Sequence, residues 1–84
     1  MKRIAVISAI LESTQETQKN FNSIVSAHKN IVKGRMGLPF DEMDMAVIAI
    51  AVVAEMDEIN AFTGQLGKLP GLTIKTAVSP RELS

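Results

Sequence analysis

Two stretches of the chain are apolar at both odd and even positions. They run from Lys2 to Leu11 and from Met45 to Val53. A strand with one wet face alternates apolar and polar residues, whereas a strand covered on both faces reads as a nearly continuous apolar run. The pattern therefore predicts that these are the two central strands of a sheet, the first and third strands in chain order.

Two other stretches alternate, as is typical of strands at the edges of a sheet. From Ile31 to Met36, small or apolar residues at Val32, Gly34 and Met36 alternate with partly charged ones. Leu72 to Val78 alternates in the same way. Between the second and third strands, the segment 37–42 contains glycine, proline and two acids, so we expect the chain to turn there.

Two further stretches have the spacing of amphipathic helices, with apolar side chains three and four positions apart. The first follows a capping box from Ser13 to Glu16. Its predicted buried stripe is Thr17, Phe21, Ile24, Val25 and His28. The second begins after Glu55, with acids in its first turn where they complement the helix dipole. Its stripe is Met56, Ile59, Phe62, Thr63 and Leu66.

The order β-α-β-β-α-β is that of the ferredoxin-like α+β fold, a split βαβ arrangement. It predicts an antiparallel four-stranded sheet in the order 4-1-3-2 with both helices on one face. This order places the first and third strands in the middle, in agreement with their apolar pattern. A chain of 84 residues has room for one such core, so residues 1–84 are predicted to form a single domain.

The central strands offer apolar side chains to both faces of the sheet, although the helices cover only one. In the first strand, one face carries Ile4, Val6 and Ile10 and the other carries Ala5, Ile7 and Ala9. In the third strand, one face carries Ile48, Ile50 and Val52 and the other carries Val47, Ala49, Ala51 and Val53. Either set could face the helices. Because soluble monomers rarely expose so large an apolar patch, we expect a homo-oligomer, a dimer or a tetramer, formed through the open face or a strand edge.

Composition narrows the setting of the protein. Nine basic and nine acidic residues give a formal net charge of zero, so no overall field attracts the chain to DNA or to an anionic membrane. The chain has no cysteine, which excludes disulfides and thiolate chemistry and is compatible with a reducing cytosol. The longest apolar run, 45–54, is half the length of about 20 residues needed to cross a bilayer. We expect a cytoplasmic protein that does not insert into membranes.

The residues that could carry catalysis are few. His28 is the only histidine, and the sequence points to no specific serine, histidine and aspartate arrangement around it. A metal site at His28 would need carboxylates or the His28 of a second copy to complete the ligand shell. The acids Asp41, Glu42 and Asp44 fall in the predicted turn, where solvated acids are expected for structural reasons. We predict no catalytic residues, no metal and no cofactor, and we do not expect an enzyme.

Two other features could mark a ligand site. Lys33, Arg35 and Lys75 lie on the predicted edge strands, where they either protect the edges from aggregation or bind an anion, with Gly34 and Gly37 allowing close approach. Gly64 interrupts the second helix and weakens it by about 1 kcal/mol relative to alanine. We expect close packing or a ligand contact at that glycine.

Three motifs together resemble a known family. They are Arg3-Ile4-Ala5-Val6-Ile7, the segment Gly34-Arg35-Met36-Gly37-Leu38-Pro39-Phe40, and Thr63-Gly64-Gln65-Leu66-Gly67-Lys68-Leu69-Pro70-Gly71. The chain resembles the iron-only hydrogenase system regulators over nearly its whole length. The resemblance implies an ACT-like domain, similar in shape to the C-terminal domain of nickel-responsive regulators, with oligomeric assembly and a transcription-related regulatory role.

Nickel-responsive regulators bind DNA through a ribbon-helix-helix segment and bind nickel through several histidines. This sequence shows neither, so we do not expect direct binding to nucleic acid.

The leading hypothesis is a regulatory domain that binds a small effector, either near Glu12 and Ser13 or around Arg35 and Gly37. The alternatives are a ligand-free module that binds a protein partner, and a small enzyme of the acylphosphatase type. The enzyme ranks last because the loop after the first strand carries an acid and no base.

Overall fold

The computed structural model describes residues 1–12 and 15–83, and its elements follow the predicted order. The strands are β1 (Arg3–Glu12), β2 (Val32–Phe40), β3 (Met45–Ala54) and β4 (Leu72–Val78), and the helices are α1 (Gln15–Ala27) and α2 (Met56–Gly67). A short 3-10 helix, Asp41–Met43, joins β2 to β3. Ser13, which the predicted capping box requires, lies outside the described residues.

The four strands form one sheet in the order β2-β3-β1-β4. This is the predicted order 4-1-3-2 counted from the other edge. All three neighbouring pairs are antiparallel. The ferredoxin-like fold is therefore confirmed, with the two most apolar strands in the centre.

Burial decides which side of the sheet faces the helices, a question that the sequence pattern left open. On β1 and β3 the helix-facing side chains, all buried, are Ala5, Ile7, Ala9 and Leu11 and Ile48, Ile50, Val52 and Ala54. They pack against Phe21 of α1 and against Phe62 and Leu66 of α2, three of the predicted stripe residues, which are fully buried. The opposite side of the sheet, called the open face below, keeps Ile4, Val6 and Ile10 exposed.

The second strand differs from the prediction. It continues through Phe40 instead of ending at Met36 before a turn. A register shift between Val32 and Gly34 also places these two residues on opposite faces, because Val32 pairs with the buried Val52 and Gly34 with Ala51 of the open face. The proline in this segment is tolerated because β2 is an edge strand, where a missing backbone donor need not interrupt the sheet.

Candidate functional site

A cleft lies where β1 ends, α1 begins and the turn before β4 passes, and we call it the β1-end cleft. Its volume is about 280 Å³, and its lining residues are Glu12, Glu16, Thr17, Asn20, Leu69, Pro70 and Gly71. The topology creates this meeting point. Because β4 pairs with β1 in the antiparallel sense, the start of β4 lies beside the end of β1.

Hydrogen bonds hold the turn before β4 against both neighbouring elements. The backbone N–H of Glu12 donates to the carbonyl oxygen of Gly71 at 2.8 Å. The hydroxyl of Thr17, a buried residue of α1, donates to the carbonyl oxygen of Pro70 at 3.3 Å. Gly71 has a φ of +78°, which glycine adopts without strain. The floor of the cleft is thus built from well-anchored backbone.

The charge of the cleft is negative. Glu12 and Glu16 are exposed carboxylates on its lining, and Asn20 adds an exposed amide. Among residues 1–12 and 15–83, no lysine or arginine lines the cleft. Carboxylates attract amines and other cations and repel phosphate groups, so the β1-end cleft suits a ligand that carries an amine better than one that carries a phosphate.

A second cleft lies on the helix side of the sheet at the β2 edge, and we call it the Arg35 cleft. Its volume is about 200 Å³, and it is lined by Leu11, Gln18, Phe21, Asn22, Arg35, Ala46 and Ile48. Both terminal nitrogens of Arg35 donate to Asn22 Oδ1, each at 3.3 Å. The guanidinium carbon also lies 5.6 Å from the centre of the Phe21 ring. The cation is therefore already held by α1.

The structure separates the residues that the sequence grouped as candidate ligands. Glu12 lines the β1-end cleft and Arg35 lines the other, while Ser13 is outside the described residues. Gly37 lies on β2 opposite Ile48, and a Cβ atom placed on it would lie 3.9 Å from Ile48 Cγ1. It therefore neighbours the Arg35 cleft.

The predicted basic group does not converge on one site. Lys75 is on β4, the opposite edge of the sheet from Arg35 on β2. It also pairs with Ser8 of the open face, whereas Arg35 points toward α1. The three cations considered in the sequence therefore cannot bind one small anion together.

Sequence reasoning missed most of the β1-end cleft, including Glu16, Asn20 and the turn Leu69–Gly71. The predicted strand order contained the necessary signal. In an antiparallel 4-1-3-2 sheet, the connection that enters the fourth strand must pass the end of the first. The Pro70-Gly71 pair then marks the turn itself.

The contacts of His28 are those of a side chain with a structural role. Its ring centre lies 4.8 Å from that of Phe62, and its Nδ1 lies 2.9 Å from the carbonyl oxygen of Ile24. Within residues 1–12 and 15–83, no group of three or more histidine, aspartate or glutamate side chains could hold a metal ion.

Neither helix among these residues is long and apolar enough to cross a membrane.

The fold is that of an ACT-like domain. The ACT domain of a GTP pyrophosphokinase from Chlorobium tepidum superposes with a TM-score of 0.78 at 13% identity, over 92% of this chain and 100% of that one. The uncharacterized protein TM1266 from Thermotoga maritima superposes with a TM-score of 0.90 at 26% identity, over 93% of this chain and 98% of that one. The TM1266-like family of iron-only hydrogenase system regulators matches residues 3–76. The chain belongs to this family, as its three motifs indicated.

One structural neighbour is part of an enzyme. A formyltetrahydrofolate deformylase from Pseudomonas putida superposes with a TM-score of 0.60 at 9% identity, over 88% of this chain and 28% of the enzyme. This likeness shows a shared fold for one part of that protein. No curated protein sequence shows significant similarity to this chain. The family designation is that of a regulator, which supports the expectation that the chain is not an enzyme.

Proposed function

We propose that this chain is a regulatory domain of an iron-only hydrogenase system and that it senses a small, amine-bearing effector in the β1-end cleft. The regulatory part is supported by the family match over residues 3–76. The sensing part is carried by one observation, an anchored cleft with two exposed carboxylates at the end of β1. The formal net charge of zero disfavours direct binding to DNA phosphates, so the signal passes to a protein partner.

The contacts around the cleft suggest how an effector would be registered. Glu12 is the last residue of β1, and its amide is tied to the turn that leads into β4. Glu16 lies in the first turn of α1, and Thr17 ties that helix to the same turn. An effector that contacts both carboxylates therefore bridges a central strand, a helix and the entry to an edge strand. Its binding stabilises their mutual position.

The experiment is a thermal-shift screen of the purified chain against amino acids, polyamines, nucleotides, divalent metals and small anions. A ligand of the native state at 100 times its dissociation constant adds about 2.7 kcal/mol of stability. We expect a saturable shift from an amine. The shift should be lost in Glu16→Gln, which removes the charge and keeps the shape.

Glu42→Gln is the matched control, because Glu42 is exposed in the 3-10 helix Asp41–Met43 and does not line the cleft. It should retain the shift. A shift that survives Glu16→Gln but disappears in Arg35→Ala would move the effector to the Arg35 cleft and contradict the proposed site. No shift across the panel would overturn the sensing role and favour the ligand-free module that binds a protein partner.

A further inference from the structure

The open face carries an unusually large apolar surface. Its six exposed apolar side chains on the two strands β1 and β2 are Ile4, Val6, Ile10, Met36, Leu38 and Phe40. These six residues keep between 40% and 64% of their surface exposed. They therefore expose several hundred Å² of apolar area, as much as the largest patches on monomeric proteins. Each partner in a stable complex contributes about 800 Å². The half-buried side chains of β3, which lie between these two strands, can supply the remainder.

The open face is also uneven in shape. Pairing between strands aligns Val6, Ala51 and Gly34 in a row across the sheet, which we call the small row. The next row, called the middle row, contains Ser8, Ala49 and Met36, and Lys75 of β4 lies beside Ser8 at its far end. A shallow depression of about 260 Å³ is bordered by Val6, Gly34 and Ala51 of the small row and by Ala49 and Met36 of the middle row. Met36 rises at its edge with 64% of its surface exposed. A depression and a protruding side chain are thus adjacent on one face.

We propose that a second copy of this chain packs on the open face, related by a two-fold axis that runs across the strands between the small row and the middle row. This axis exchanges the two rows, so the large side chain of Met36 in each copy lies over Gly34 of the other. Exchange of the rows places Lys75 of each copy opposite Ala77 of the other, at the β4 edge of the interface. An axis along the strands would place each row against the same row of the partner, so Met36 would not lie over Gly34. Close packing at interfaces favours the first arrangement.

Charge favours the same arrangement. The alternation of β1 puts Lys2 at one end of the open face, where it borders Val53. It puts Glu12, which also lines the β1-end cleft, at the other end. The proposed axis runs β1 antiparallel to β1 of the partner, so Lys2 of each copy faces Glu12 of the other. Within one chain these residues are ten positions apart, which corresponds to roughly 33 Å along a strand. They can pair only between copies.

The first test is the mass of the chain in solution, measured by analytical ultracentrifugation over the micromolar range. We expect a dimer. Met36→Glu places a charge in the depression of the partner and should raise the dissociation constant at least about 100-fold. Met43→Glu is the matched control, because Met43 is 65% exposed but lies in the 3-10 helix outside the sheet. It should remain dimeric.

The second test addresses the direction of the axis. Lys2→Glu and Glu12→Lys should each raise the dissociation constant about threefold to tenfold at low salt, and the double variant should regain the original affinity. A monomeric wild-type chain, or a dimer that survives Met36→Glu, would overturn the interface. Failure of the double variant to regain affinity would overturn the antiparallel arrangement. These readouts are masses measured without effector. Met36 lies outside the β1-end cleft, so the Met36→Glu result is independent of the proposed sensing role, whereas Glu12→Lys changes a residue of both.

Discussion

The carbonyl oxygen of Gly71 accepts a hydrogen bond from the backbone N–H of Glu12 at 2.8 Å. This bond joins the end of a central strand to the entry of an edge strand. It is formed at a residue with a φ of +78°. The wall of the β1-end cleft therefore depends on a backbone conformation that residues other than glycine rarely adopt.

Gly71→Ala is expected to lower the free energy of unfolding by about 1–2 kcal/mol. A Cβ atom at this position is strained by the positive φ and would lie 3.5 Å from both the Glu12 carbonyl oxygen and Thr17 Oγ1. Urea denaturation measures the loss. An unchanged midpoint would mean that the turn does not need glycine.

Gly64→Ala should have the opposite effect. No other described side chain or neighbouring element lies within 4 Å of a Cβ atom placed on Gly64, so alanine should fit and raise the stability of α2 by up to about 1 kcal/mol. The expectation of close packing at this glycine is therefore wrong within one chain. Thermal denaturation checks the gain, and a loss of stability would indicate an additional contact made by another molecule.

Ile7→Ala and Ile4→Ala compare the two faces of β1. Ile7 is 0% exposed among the helix-facing side chains, and Ile4 is 45% exposed on the open face. We expect Ile7→Ala to lower the free energy of unfolding by about 2–4 kcal/mol, because it leaves a cavity in the core. Ile4→Ala should lower it by less than about 1 kcal/mol at protein concentrations too low for assembly. Equal effects in dilute solution would contradict the assignment of the faces.

Arg35→Ala tests whether the Arg35 cleft is structural. Arg35 is exposed and bonds to Asn22 at the surface, and its guanidinium lies over the ring of the buried Phe21. The loss of these contacts should lower the free energy of unfolding by about 1 kcal/mol. Any effector-induced shift should remain, since Arg35 does not line the β1-end cleft. Circular dichroism checks folding and the thermal-shift screen checks binding.

Apolar periodicity alone was sufficient to predict the order of elements and the strand order. The near-continuous runs at β1 and β3 required central positions, and the alternation at β4 matched the observed strand Leu72–Val78. The stripes of α1 and α2 were confirmed at their centres, because helical spacing puts the buried residues of each helix on one face: Thr17, Phe21 and Val25 on α1, and Ile59, Phe62 and Leu66 on α2. The other predicted members, Ile24, His28, Met56 and Thr63, are half-buried. These features depend on local pattern, which a sequence displays directly.

The β2 register and the choice of faces needed the tertiary structure. Both sides of β1 and β3 are apolar, so only the position of α1 and α2 decides that Ile7 and Ile50 are covered while Ile4 is left exposed. The shift after Val32 and the continuation through Pro39 arise because β2 pairs with one neighbour, β3, and can absorb an irregularity at its free edge.

The same distinction between local pattern and tertiary structure applies to the candidate site. From the sequence, Glu12 could be recognised as an acid at the end of a strand, because its position follows from local pattern. That it meets Glu16 and the turn Leu69–Gly71 in one cleft was decided by the pairing of β1 with β4, which brings residues about sixty positions apart into contact. The sequence by itself determined which segments are strands and helices. Only the tertiary structure decided which side chains share a cleft and which apolar face remains open, because these depend on contacts between distant segments.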